Sequence, residues 1–387
     1  MRKYESTHPW LRSFDTDYLV RVPPRIWMIL GEIKAKCEHL TGIPLMRQTA
    51  HELYQVYLAR GVLGTTAIEG NTLSEEEVRA HMEGKLKLPE SKEYLKQEID
   101  NILEGKRRIL SLQSKNKLPP WSPEEICRLN EVVLKELELP DEETIPGVIR
   151  KHSVGVGRYR AVPAEDCLFL LKQLCKWLNS STDDIDHGSR IPLGLIKAIA
   201  AHLYFAWIHP FGDGNGRTAR LIEFRILIEA GIPIPATLLP SNFYNQTRTE
   251  YARQLDRASQ SGGSMDEFTE YAIRGFSEGL TEQLASIRDQ HLRISWINFV
   301  HAQFQGMTGT AAKRRRNLVL ALSEQDLPVP RSQIGEINPR VAREYANASQ
   351  KMISRDLNYL RKMDLVERTR SGYSAKKQLM QAFLTSG

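Results

Sequence analysis

The chain has 387 residues, 41% of them apolar and 26% charged, which excludes a disordered or fibrous protein and leaves room for two or three domains with cores of their own. The formal net charge of +6 is modest and by itself establishes no nucleic-acid binding. No apolar run reads as a membrane span, Met1-Arg-Lys-Tyr-Glu5 lacks an apolar signal region, and Cys37, Cys127, Cys167 and Cys175 form no CxxC pair, so a reduced, cytoplasmic protein with no membrane partner is expected.

In chain order, helical periodicity predicts helices over Pro24–Leu40 and Met46–Ile68, one from Ser74, and one over Lys92–Leu112. Thr65 and Glu69 are four apart and share a helix face, while Gly70 and Asn71 suit a C-cap. Ser74 and Glu77 have capping-box spacing. Pro119-Pro-Trp-Ser-Pro123 punctuates the chain, and Ser122 is placed to cap a helix starting at Pro123, with Glu125 three residues on. Three parts are expected: an N-terminal helical region 1–118, a core 119–282, and a C-terminal domain 283–387.

Within the core, Pro146-Gly-Val-Ile-Arg150 leads into Val154-Gly-Val-Gly-Arg-Tyr-Arg160, where apolar residues alternating around glycines predict a short β-hairpin. Cys167 and Cys175 fall in an apolar helical stretch and read as reduced core residues. Leu193, Ile196, Ile199, Ala200, Leu203 and Trp207 recur at helical spacing, so a buried helix arrives at His209, where Pro210 stops it. Leu221, Phe224, Leu227 and Ile228 mark a second helix, starting near Asn215 and ended by Gly231 and Pro233. Ser261-Gly-Gly-Ser264 reads as a short flexible turn.

The loop between those two helices is His209-Pro-Phe-Gly-Asp-Gly-Asn-Gly-Arg217-Thr-Ala-Arg220. Gly212, Gly214 and Gly216 allow the backbone to turn tightly and approach a ligand. Free N–H groups at the start of the second helix form an anion site. Arg217 and Arg220 lie on one face of that helix and suit phosphate oxygens. Asp213 is a hard oxygen ligand suited to Mg²⁺, His209 can act as a general base, and Asn215 can shape the loop or bond a phosphate. Together these parts point to phosphoryl or nucleotidyl transfer to a hydroxyl.

The loop matches the motif HxFx(D/E)GNGRxxR at every fixed position, and the chain therefore resembles the Fic family. The resemblance implies an all-α fold with a small β-hairpin flap. It implies transfer of AMP from ATP to a Ser, Thr or Tyr hydroxyl of a target protein. On this resemblance, His209 deprotonates the target hydroxyl, Asp213 binds Mg²⁺ (with Mn²⁺ as an option), and Phe211 anchors the loop. Gly212, Gly214, Asn215, Gly216 and Arg217 hold phosphates, and Arg220 reaches the γ-phosphate. Val156, Gly157, Arg158 and Tyr159 stand on the nucleotide side of the flap. Tyr244 and Tyr251 fall in the segment that closes the adenine pocket, although Ala252 and Ser259 depart from the family's frequent Tyr and Asn.

Thr65-Thr-Ala-Ile-Glu69-Gly70 is similar to the family's inhibitory motif (S/T)xxxE(G/N). It implies that Glu69 pairs with Arg220 and competes with the γ-phosphate. A homodimer is a further option carried by the resemblance.

From about Leu284 the chain changes character. Lys313-Arg-Arg-Arg316 opens a helix ending near Leu322, and Ser332–Ile337 is a short segment. Ser349–Lys362 is amphipathic, with Met352, Ile353, Leu357 and Leu360 inward and Lys351, Arg355, Asn358 and Arg361 outward. Leu365–Ser374 reads as two strands around a turn carrying Arg368 and Arg370. This order resembles a winged helix, whose third helix can enter a major groove. Asp356 and Asp364 dilute the basic patch, so a DNA or a protein partner both stay open for the tail.

The leading expectation is an autoinhibited protein adenylyltransferase. The alternatives are a DNA-binding regulator using the core as a nucleotide sensor, or a Fic enzyme that transfers another group or removes AMP.

Overall fold

The computed structural model describes residues 1–11, 22–44, 47–180, 187–260, 262, 264–346 and 349–380. Met46, Ser261 and Gly263, named above, lie outside them. The chain forms two compact units, Met1–Gln283 and Leu284–Gly387. The helical region 1–118 and the core 119–282 thus share one unit.

In the first unit, α1 (Lys3–Thr7) precedes α2 (Pro24–Gly42), α3 (Arg47–Ala67), α4 (Glu75–Met82) and α5 (Glu93–Ser114). The Ser74–Glu77 capping box at α4 is complete in both directions. α6 (Pro123–Leu134) starts on Ser122, whose Oγ accepts from the Glu125 N–H at 3.2 Å. Glu125 does not reach back to the cap. It is buried and accepts from Arg108 at 2.7 Å and 2.9 Å.

The hairpin is β1 (Gly155–Val156) paired antiparallel with β2 (Tyr159–Arg160). α7 (Ala164–Asn179), α8 (Arg190–Ile208) and α9 (Asn215–Glu229) follow, then α10 (Leu239–Gln246), α11 (Arg248–Gln260) and the start of α12 (Asp266–Gln303). α8 and α9 pack together at the centre, with α5 and α6 against α9, and α2 and α7 against α8.

α8 corrects one expectation. Its 19 residues are long and apolar enough to cross a membrane by length and composition. Among the residues of that stretch 72% are buried, so its apolar surface is used inside the core. Cys37, Cys167 and Cys175 are free and buried, and burial pushes the thiols of Cys37 and Cys175 up to about 12.

α3 reaches the site by lying close on α10. A Cβ at Gly64 would run into the Ser241 carbonyl, so only glycine permits that approach. The next residue, Thr65, is thereby held near α9.

The second unit contains α13 (Thr310–Ser323), a 3₁₀ segment Arg331–Glu336, α14 (Pro339–Tyr345), α15 (Gln350–Lys362) and an antiparallel hairpin, β3 (Val366–Arg368) with β4 (Tyr373–Ala375). Val329 adds an isolated bridge to Tyr373. Leu318, Leu322, Ile334, Val341, Leu357 and Leu360 form its core. α14 was not foreseen because seven residues give too short a periodic pattern. The Asn338 side chain caps it by accepting from the N–H groups of Arg340 and Val341, with Pro339 at the first helical position.

Candidate active site

α8 ends at Ile208, and His209 adopts a left-handed conformation, φ 47° and ψ 60°. Its N–H still closes the last helical turn on the Phe205 carbonyl at 2.9 Å. The left-handed residue turns the chain away from the helix axis into the loop. Asn215 fixes the loop's shape: its Oδ1 accepts from the Phe211 N–H at 3.0 Å, and its Nδ2 donates to the Phe211 carbonyl at 2.8 Å. Phe211 is buried against Phe205. Gly214, at φ 73°, then launches α9.

Two residues outside the motif hold this loop. Arg150 donates from its N–H to the Pro210 carbonyl at 2.9 Å and from Nε to the His209 carbonyl at 2.8 Å. Its other nitrogens donate to His152 and Val162, at 2.7 and 2.6 Å, tying the chain on both sides of the hairpin to the loop. Asn130 donates to the Asp213 carbonyl at 3.0 Å and accepts from the Gly147 N–H at 2.9 Å. Neither carries a sequence signal on its own, because a buried arginine or asparagine is recognised only by the carbonyls it meets.

A cavity of about 500 Å³ opens over the loop. His209, Gly212, Asp213, Gly214, Asn215, Gly216 and Arg220 line it, together with Val156 and Tyr159 of the hairpin, Tyr251 of α11, and Glu69. Gly157, Arg158, Arg217 and Tyr244 are not among its lining. Gly157 and Arg158 form the hairpin turn, and Arg158 pairs with Asp256 at 2.7 Å. Tyr244 is buried beneath Tyr251, ring centroids 4.7 Å apart, and donates to Glu223 at 2.9 Å. Ala252 and Ser259 do line the cavity.

The cavity's electrostatics follow from its burial. His209 Nδ1 lies 3.3 Å from the Ala206 carbonyl, which can only accept, so the neutral ring keeps its lone pair on Nε2. Burial, with the Arg150 charge adding, pushes the imidazole down to about 4 against the opposing pull of the Ala206 bond, Glu69 and Asp213. His209 is therefore a neutral base at pH 7.

Glu69 sits just past α3. Its Oε1 accepts from Arg220 Nη2 at 2.5 Å, and the same arginine donates to the Thr65 hydroxyl at 2.6 Å and the Thr65 carbonyl at 2.9 Å. Burial raises the Glu69 carboxyl, but Arg220, Arg217 and His209 outweigh it and hold it below the usual carboxylate range. A Cβ at Gly216 would run into the Glu69 carboxylate. The carboxylate thus occupies the first turn of α9, where an anion is favoured.

Arg217 points elsewhere. It donates to Glu98 at 2.9 Å and to Asp213 at 3.1 Å. Glu98, from α5, also accepts from Asn71 at 2.8 Å, which links the segment after Glu69 to the Asp213 carboxylate. Asp213 keeps 37% of its side chain exposed. No cluster of three metal-binding side chains occurs among the described residues. A single accessible carboxylate fits a Mg²⁺ that takes its remaining oxygens from phosphates and water.

A helical core, a two-stranded hairpin and this loop over one cavity define a Fic domain. Residues 120–227 match the Fic/DOC family model, and the chain carries a Fic domain there. It is 30% identical over 280 residues to a protein adenylyltransferase, fic-1, of Caenorhabditis elegans, covering 72% of this chain and 50% of that one. It is 28% identical over 277 residues to a protein adenylyltransferase Fic of Nematostella vectensis, covering 67% and 56%. The chain thus spans about half the length of the curated relatives it matches. The solved C. elegans Fic-1 (residues 134–508) superposes with a TM-score of 0.53 at 26% identity, over 68% of this chain and 73% of that one. A Fic family protein of Desulfovibrio desulfuricans G20 shares the fold, with a TM-score of 0.57 at 21% identity, over 92% and 97%.

Proposed function

We propose that the protein is an autoinhibited protein adenylyltransferase that moves AMP from ATP to a hydroxyl side chain of a target protein. The carrying observation is the cavity itself, where a neutral His209, an accessible Asp213 and the anion-binding turn at Gly216 face one space. The relatives' names support the same reaction. His209 Nε2 takes the proton of the attacking hydroxyl as its oxygen bonds the α-phosphorus. The bond from that phosphorus to the bridging oxygen breaks, and pyrophosphate leaves. Asp213 would hold Mg²⁺, which supplies charge neutralisation on the phosphates. The α9 N-terminus and Arg220 orient the nucleotide.

The Glu69–Arg220 pair is the proposed brake. It places a negative charge where the γ-phosphate would lie and occupies the arginine that would hold it. The test is label transfer from α-³²P ATP with Mg²⁺. Glu69→Gly is expected to raise labelling at least tenfold over the intact chain, and Glu69→Gly with His209→Ala to abolish it. Equal labelling by the intact chain and Glu69→Gly sinks the brake, and labelling that survives His209→Ala sinks the base. For the second unit we propose a winged-helix-like fold, supported by its helix order, its hairpin and the Val329–Tyr373 bridge.

A further inference from the structure

The chain's positive charge is not spread evenly. Residues 284–387 hold 17 Lys and Arg against 8 Asp and Glu, so the excess of the whole +6 chain lies there and residues 1–283 are net acidic. Within this unit one acid is taken below the surface. Asp356, in the middle of α15, is fully buried and accepts from Arg314 at 2.8 Å, Arg315 at 2.6 Å and the Tyr345 hydroxyl at 2.9 Å. The acid that dilutes the basic face in the sequence is thus taken off that face by the fold. Asp364 is likewise engaged, by Lys376 at 2.5 Å.

The charges left on the exposed face of α15 are all basic. An open groove of about 820 Å³ runs along α15, lined by Arg315, Arg331, Lys351, Arg355 and Lys362, with no carboxylate among its lining residues. Arg331, Lys351, Arg355 and Lys362 are exposed and have no carboxylate partner among the described residues. The Arg315 guanidinium lies 4.0 Å from the Tyr359 ring centroid, which fixes the groove wall. Asn358 and Arg361, also exposed, stand on the same helix. Arg331 follows the Val329 bridge to β4, and Arg368 and Arg370 of that hairpin are exposed as well.

We propose that this face binds B-form duplex DNA, independently of the reaction at the Fic loop. Exposed cations without carboxylate partners on a groove wall match a phosphate backbone and gain affinity by releasing its counterions. α15, 13 residues long with one face exposed, fits the width of a B-form major groove, which the narrow A-form groove does not admit. Asn358 and Arg361 are the side-chain types that read base edges. An acidic protein surface is the competing occupant, and the test separates the two.

The experiment is fluorescence anisotropy of the full chain with a labelled 20-base-pair duplex of mixed sequence, at 50 to 200 mM NaCl. Binding is expected to weaken by a factor of about ten or more over that range. Lys351→Ala with Arg355→Ala is expected to weaken it at least tenfold at 50 mM and to lower the log–log salt slope by about two. Circular dichroism confirms that the variant is folded. Lys34→Ala with Lys87→Ala, in the first unit, is expected to bind like the parent. The proposal is overturned by no duplex binding at 50 mM, by an unchanged affinity in the tail variant, or by equal affinity for a duplex RNA or a poly-glutamate chain.

Discussion

The Tyr251 hydroxyl lies 2.9 Å from His202 Nε2 and is close enough to Arg220 for the guanidinium charge to oppose the upward push of burial on the phenol. His202 Nδ1 in turn sits 3.0 Å from Glu223, whose second oxygen accepts from Tyr244 at 2.9 Å. Glu223 is not on the cavity, yet it sets the ring that sets the tyrosine beside the arginine proposed to hold phosphate. In the Glu69→Gly background, Tyr251→Phe and Glu223→Gln are each expected to raise the KM for ATP several-fold with a smaller change in kcat. Glu223→Gln also costs about 2–4 kcal/mol of stability, because it unbalances a buried network. The two effects on KM are expected to combine less than additively, as one chain of bonds is broken twice. Full additivity in steady-state kinetics rules the relay out.

How much of this was readable from the chain depends on range. The His209–Arg220 loop and the Ser74 and Ser122 caps are local patterns, and the structure shows the loop and the Ser74 box as their spacing requires, and the Ser122 cap without its returning glutamate. Glu98, Asn130, Arg150 and His202 act across 21 to 119 positions. Nothing in their neighbours marks them, since a polar residue in a helix or a connecting segment reads as surface until its buried partner is known. Arg217 shows the same dependence on range: its place in the motif suggests a phosphate ligand, and the distant Glu98, which no local pattern points to, accepts from one of its nitrogens. Asp356 was misread as surface for the same reason.

The two titrating groups in the cavity fix the expected pH behaviour. His209 titrates near 4, below its ordinary value, so the base form persists through the neutral range. The kcat/KM of Glu69→Gly is therefore expected to be flat from pH 8 to about 6 and to fall only on approach to 4. A midpoint near 6.5 contradicts a buried His209. Glu69 is depressed, so the stability from its pairing is present above the ordinary carboxylate range and is lost only as pH falls through the lower folded value. The proposed brake is then not expected to be released by mild acid, and the ratio of Glu69→Gly to parent labelling should be constant from pH 6 to 8.

Arg150 joins the hairpin to the loop through donors to three carbonyls. Arg150→Met keeps the stem but strands those acceptors in a buried site. The expected loss of stability is about 2–4 kcal/mol, read as a denaturant midpoint shift at constant slope. Burial also lowers the Arg150 guanidinium from its ordinary value, yet it stays charged at neutral pH. Arg150→Lys supplies one donor centre in place of a planar fork and is expected to recover only part of the loss. Labelling in the Glu69→Gly background should fall at least tenfold in Arg150→Met, because the His209 carbonyl loses its anchor. Unchanged labelling with normal stability excludes that positioning role.

Lys106 of α5 lies under the same centre, 3.9 Å over the Phe224 ring and only 3% exposed. Burial pushes its ammonium down to about 7, against the pull of Glu223 and with the push of Arg220. Its folded pKa is thus below the unfolded one. Between about pH 7 and 10.5 the unfolded chain binds the extra proton, so this group makes stability rise with pH across that window. Below 7 the charged ammonium is carried into the core and the full penalty applies. Lys106→Met keeps the stem against Phe224 and removes the charge. It is expected to stabilise the protein by about 1–3 kcal/mol at pH 7 and to flatten the rise towards pH 10. Chemical denaturation at pH 7 and pH 10 checks both. A loss of stability at pH 7 would mean that the contacts of the ammonium with Phe224 and Glu223 outweigh its desolvation.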